Sequence, residues 1–169
     1  SIWSISMRWT PGTEARREYI PARAGREWKA VDVWISITGI QRVDGESNVA
    51  ELSTGGTLER EQDGYLLTYE ESEATGMAGV RTALHIRDDG VTMERTGAMN
   101  ALLVLEAGKR HMCEYDTGYG KLMMGVYTQE MNNHLAETGG ELALRYTLDF
   151  NAGLAAAHEL RVSVREIKQ

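Results

Sequence analysis

Arg95 stands in the most unusual context of any charged residue in this chain. In VTMERTG the apolar positions Val91 and Met93 share a phase with Arg95, while Glu94 takes the other. In an extended strand the guanidinium would therefore point with the apolar side chains. A guanidinium cannot shed its proton, and an isolated buried charge costs several kcal/mol, so an inward Arg95 needs an anion. Glu71, in phase with Leu67 and Tyr69 on YLLTYEE, is an inward carboxylate that could serve. The rival source is a ligand: the carboxylate of an acyl molecule gripped by Arg95, with Tyr69, Tyr115 or Tyr146 donating hydroxyls and Leu, Val and Met positions wrapping its apolar body. A closed Arg95 to Glu71 pair near a barrel mouth is a structural feature, whereas an Arg95 open to a ligand is a receptor.

The other chemistry-bearing groups are weaker. His111-Met112-Cys113 puts an imidazole and a thiol on one strand face with Tyr115 next in line, but two soft ligands are too few for zinc, which takes about four in structural sites and three in catalytic ones. His85 and His158 fall on other strands, and a small buried cysteine beside a strand-end histidine is the simpler expectation. Glu70, Glu71, Glu94 and Tyr69 have spacing compatible with acid and base work on adjacent strands, and equally with a solvated face. No nucleophile motif accompanies them. Gly118, Gly120, Gly139 and Gly140 are read as turn glycines, because a phosphate loop would need a following helix. No catalytic residue, metal or cofactor is expected.

The elements that must position these groups are strands. From Val31 onward no proline occurs and turn signals come at short intervals. VDVWISITG alternates Val31, Val33, Ile35 and Ile37 against Asp32, Trp34, Ser36 and Thr38, the period of two expected of a half-buried strand. Turns at Asp44-Gly45, Gln62-Asp63-Gly64, Asp88-Asp89-Gly90, Gly108-Lys109 and Gly118 to Gly120 separate further strands. One such strand carries Val80, Thr82, Leu84 and Ile86 in one phase. The last hairpin sets Leu142, Leu144, Tyr146 and Leu148, then Leu160, Val162 and Val164, inward, with Glu141, Arg145 and Arg161 outward. The count is about ten strands, mostly longer than the ~5 to 6 residues usual in sheets, and nothing in the pattern demands a helix. Short links make sequential strands antiparallel neighbours. Closing such a meander removes its edges, so the expected fold is all-β: an antiparallel up-and-down barrel of lipocalin type. Met123, Met124, Met131 and Ala101 to Leu105 make two strands apolar on both faces, which fits either a covered outer wall or a homodimer interface.

Composition narrows the partners. The formal net charge is -7, a poor footing for phosphate backbones or anionic lipid, so neither nucleic acid nor membrane is expected. No run approaches the roughly 20 apolar residues of a spanning helix, no secretory leader is evident, and the single Cys113 fits a reducing compartment, so a cytoplasmic location is expected. The charge is uneven: residues 1–30 carry six Lys and Arg against three Glu, a balance of +3, leaving -10 for the rest. Both prolines and Trp3, Trp9 and Trp28 lie in that stretch, without sustained periodicity. Residues 1–30 are therefore read as an appendage to a single barrel domain over 31–169: a tail docking through its tryptophans, or material not native to the domain, from a start placed too far upstream or an expression scar.

The runs GYLLTYEESEATGMAGVRTALHI, VTMERTGAMN, EYDTGYGKLMMGVYT, GGELALRYTLDF and RVSVREI resemble the YwiB-like family of small bacterial proteins of unknown function. The resemblance spans about Val31 to Ile167 and implies a calycin, or lipocalin-like, barrel. It brings no catalytic residues, and the function it implies is small-ligand binding by analogy of fold. Three readings result: a carrier or sensor holding a small amphipathic ligand in the lumen; a filled barrel acting through its outer surface as a homodimer or interaction scaffold; and, behind both, an enzyme with acid and base groups at the barrel mouth.

Overall fold

The computed structural model of the chain describes residues 7–8, 29–98, 101–116, 121–150 and 153–168. A two-residue strand, β1 (Met7–Arg8), precedes ten long ones: β2 (Val31–Val43), β3 (Glu46–Glu61), β4 (Gly64–Glu70), β5 (Val80–Arg87), β6 (Gly90–Gly97), β7 (Ala101–Glu106), β8 (Arg110–Asp116), β9 (Lys121–Ala136), β10 (Gly139–Phe150) and β11 (Gly153–Glu166). All pair antiparallel in one sheet, in the order β1-β8-β9-β10-β11-β2-β3-β4-β5-β6-β7. The expected all-β meander of ten strands is what forms.

Closure comes from the ends of the meander. β2 and β11 pair over a long register that runs from Ala157 opposite Arg42 to Glu166 opposite Val33. The seam lies between two sequential strands, β7 and β8, which share no ladder. It is fastened at one end by a bridge between Ala107 and Thr128 and a hydrogen bond from Gly108 N–H to the Thr128 carbonyl (2.9 Å). The barrel is thus nearly closed. β1 adds to the far side of β8, with Met7 opposite Tyr115 and Arg8 opposite Glu114.

Alternation decides what lies inside. Val33, Ile35, Leu84, Ile86, Met93, Leu144, Tyr146, Leu148, Val162 and Val164 are buried in one core, with Leu52 half-buried against it, while Arg81, Glu141, Arg145 and Arg161 are exposed. A one-residue slip would exchange these sets. Asp44-Gly45 turns the first hairpin with both residues at positive φ (49° and 79°), the backbone a tight two-residue turn requires. Gly139 and Gly140 differ from the sequence reading: they begin β10 beside a turn at residues 137–138, at φ 138° and 139°, where any Cβ would strike the opposing backbone.

Two further features depart from the expectation. Residues Glu73–Thr75 form a 3-10 turn inside the β4 to β5 link, capped by Ser72. β11 also begins earlier than its alternation suggested, at Gly153. Of the strands apolar on both faces, β9 turns Met124 into the core and leaves Met123 46% exposed. In β7, by contrast, Leu103, Val104 and Leu105 are all buried, so that strand's outer face is covered.

The seam has its own electrostatic fastening. Glu106, buried at the end of β7, accepts from Lys109 Nζ (2.9 Å) and bonds His111 Nε2 (3.0 Å) at the start of β8. Burial pushes this carboxyl's pKa up, but the hydrogen bonds and charges of Lys109 and His111 outweigh it and hold it below the ordinary value. A carboxyl depressed in the folded state contributes stability above its unfolded pKa, and loses it as pH falls through the folded one. Glu106→Gln is therefore expected to melt below the wild type at pH 7, with the gap closing below about pH 4. A gap that stays constant in melts from pH 7 to 3 would remove Glu106 as a charged fastener.

Candidate functional site

Strand register builds the interior site as a row. Tyr69 on β4 lies opposite Thr82 on β5, and Thr82 lies opposite Arg95 on β6. All three are buried, with Arg95 only 2% exposed. Period-two geometry then sends their side chains to the same inner face. Glu71 follows Tyr69 by two residues, just beyond the end of β4, and stays inward at 6% exposure. Its position is fixed by the backbone: Glu71 N–H donates to the Val80 carbonyl (2.8 Å), drawing the ends of β4 and β5 together.

The link between those strands completes the carboxylate's surroundings. Ser72 caps the 3-10 turn by accepting from Ala74 N–H (3.2 Å), and Gly76 ends it in the left-handed region. That places Thr75 over the row, where its hydroxyl donates to Glu71 Oε2 (2.9 Å), while Thr82 donates to Glu71 Oε1 (2.7 Å). Tyr69 shares a side-chain hydrogen bond with Glu71 as well, and burial together with the neighbouring carboxylate pushes its phenol well above the ordinary range. The carboxylate is thus satisfied by hydroxyls on three sides.

Arg95 is balanced differently. Burial lowers its proton affinity, and Tyr69, Glu71 and Tyr146 oppose that through their charges or partial charges. Tyr146 reaches the cluster from the opposite wall, on β10, where burial raises its pKa to about 12 against the pull of Arg95. Four of the five residues singled out in the sequence therefore converge: Arg95, Glu71, Tyr69 and Tyr146. Tyr115 lies on β8 opposite Leu122, and its side chain falls outside the described residues.

Tyr146 also belongs to a second polar row. It lies opposite Thr128 on β9 and His158 on β11, both buried, and stacks on the His158 ring at 5.0 Å between centroids with 2° between planes. Thr128 Oγ1 and both ring nitrogens of His158 have no hydrogen-bond partner among the described residues. His158 shares the phase of Leu160, Val162 and Val164, a signal already in the sequence, had the alternation been carried two residues further back. Thr75 had no such signal, because a three-residue turn carries no periodicity.

The remaining candidates do not join the cluster. Glu70 pairs with Arg81 (3.4 Å) on the outer wall, and Glu94 meets His85 Nε2 there at 3.5 Å. Glu71 points inward, so alternation separates these carboxylates by the thickness of the sheet. His85 is held between Glu94 and Glu61, the latter 3.4 Å from Nδ1. Cys113 is fully buried, its thiol pushed up to about 12 by burial, with a hydrogen bond to the Val104 backbone across the seam pulling it partly back. Among the described residues no three His, Cys, Asp or Glu side chains converge as metal ligands, and no helix is long and apolar enough to cross a membrane.

Comparison with known proteins agrees with this architecture. Residues 35–162 match a family described as Domain of unknown function (DUF1934). The crystal structure of ywiB protein from Bacillus subtilis superposes with a TM-score of 0.68 at 18% identity, covering 93% of this chain and 100% of that one, a likeness of fold. A search of curated proteins returns no match.

Burial lowers the His158 pKa from 6.5 to about 4. The folded protein thus holds this ring neutral in a pH range where the unfolded chain binds a proton. Stability must then fall as pH drops from about 6.5 to 4, by on the order of 3 kcal/mol in all. His158→Phe keeps the ring stack and removes the titration. Its melting temperature relative to wild type is expected to rise steadily from pH 7 to pH 4.5. A difference independent of pH would show that His158 does not stay neutral.

Proposed function

The chain belongs to the DUF1934 family, and we propose that its barrel is a cytoplasmic carrier or sensor that holds a small amphipathic acid in the lumen, in the manner of calycin-type barrels. The carboxylate end meets Arg95, with Tyr69 and Tyr146 beside it, and the apolar body lies along the Leu, Val and Met side chains of the core. A single observation carries the reading: a guanidinium 2% exposed on the inner face of a barrel. Such a group retains its charge, so a carboxylate brought by a ligand gains a charge-assisted, two-pronged hydrogen bond in a medium of low dielectric constant.

Glu71 is the internal competitor. It already accepts from Thr75 and Thr82, and those hydrogen bonds hold it in place whether or not Arg95 turns to a ligand. The neighbouring negative charge weakens binding of a second carboxylate, as like charges do at close range. Neutralising Glu71 should therefore improve acid binding while loosening the link that its hydrogen bonds hold.

A second reading has its own support. Met112, Met123 and Tyr127 are exposed on the adjacent strands β8 and β9, an apolar grouping suited to a second copy or another protein. In that case the lumen is filled and the outer wall does the work.

Titration of the wild type, Arg95→Met and Glu71→Gln with saturated fatty acids of several lengths separates the two. Carriage predicts saturable binding to wild type, a loss of tenfold or more in Arg95→Met, and tighter binding with a lower melting temperature in Glu71→Gln. Equal affinity in Arg95→Met and wild type, or no binding by any of the three, leaves the surface-acting barrel, which native mass spectrometry would then report as a dimer.

A further inference from the structure

The acid receptor draws only Tyr146 from the wall opposite Arg95, and that wall carries further polar groups that it does not use. On β9, β10 and β11, Thr128, Tyr146 and His158 form a continuous inward row. His158 is 3% exposed and Thr128 fully buried, yet the Thr128 hydroxyl and both ring nitrogens of His158 find no hydrogen-bond partner among the described residues. Leaving three such atoms unsatisfied in a dry core forfeits the hydrogen bonds they make in water. A leucine or valine at these positions would be the cheaper choice for a barrel meant only to wrap hydrocarbon.

We propose that the lumen is built for an oxygenated acid: a carboxylate held at Arg95 with a hydroxyl further along its chain, bonded by His158 and Thr128. The inference rests on the acid-receptor reading of Arg95 and adds the second polar group of the ligand. Tyr146 supports the geometry, since it faces Arg95 through its charge interaction and stacks on His158, so one side chain spans both stations. The chemistry also matches. His158 is neutral at physiological pH, because burial holds its pKa at about 4, and a neutral imidazole offers one donor and one acceptor. Thr128 offers the same pair. A hydroxyl can give and receive at once, so it can bond the Thr128 hydroxyl and one ring nitrogen of His158 together. A plain methylene chain would leave them unpaired, and sites with buried hydrogen-bonding groups discriminate strongly against analogues that lack the matching group.

The test compares one saturated fatty acid with its monohydroxy isomers, the hydroxyl placed near the carboxylate, at mid-chain and at the far end, by calorimetric titration at pH 7.5. Wild type is expected to bind at least one isomer tenfold or more tighter than the parent acid. His158→Leu and Thr128→Val should each narrow that gap, while Arg95→Met weakens parent and isomer alike. Thr128→Val is nearly isosteric and keeps the test decisive if His158→Leu fails to fold. Equal binding of parent and every isomer, or a preference that survives Thr128→Val and His158→Leu, overturns the proposal and leaves the acid receptor standing. Binding of no acid in the panel removes the receptor itself, and this inference with it.

Discussion

One buried charge organises the interior. Arg95 cannot be neutralised by losing a proton, and the sheet around it leaves little solvent to do the work. The groups that answer it come from three places: Glu71 just past the end of β4, Tyr69 on that strand, and Tyr146 from the far wall. The buried carboxyl of Glu71 in turn needs donors, which Thr82 and the capped turn that carries Thr75 supply. A nine-residue link between two strands is thereby folded around a carboxylate instead of being left as a plain reversal. Removing one partner of such a buried network costs more than forming it gains, because the other partner is left uncompensated.

Much of this was legible in the sequence, and the reasons are physical. Period two is the one pattern a strand cannot avoid, and here it runs almost unbroken from Val31 to Val164, so the inward set could be read from parity alone. The same parity placed Arg95 inside, in phase with Val91 and Met93, and Glu71 in phase with Leu67 and Tyr69. Two kinds of information were not available. The start of β11 runs through Ala155, Ala156 and Ala157, and alanine has neither the β preference nor the polarity to mark a strand or a face. The place of the seam was also invisible: β7 and β8 are joined by a short turn and look like another hairpin, and only the register of β9 shows that the bridge at Thr128 replaces a ladder.

Residues facing each other across the lumen are the hardest to foresee. Alternation says that Tyr146 and Arg95 both point inward, but says nothing about their meeting, since that depends on how many strands lie between β6 and β10 in each direction around the barrel. His158 illustrates the point. Its neighbours in the chain are an alanine and a glutamate, its neighbours in space are Tyr146 and Gln41, and only the sheet brings those facts together.

The pairing of β2 with β11 has a consequence during synthesis. β2 is made before the other long strands of the barrel, and its inward residues Val33, Ile35 and Ile37 are buried in a barrel that lacks a wall until β11 arrives. Closing so long a loop must be paid for before the contact repays it, which makes such pairings late events. From the synthesis of β2 until that of β11 the nascent chain therefore presents an open, apolar strand edge. The hairpin partner β3, which pairs with β2 from Val31 to Val43, is the element that covers one edge of β2 in the meantime.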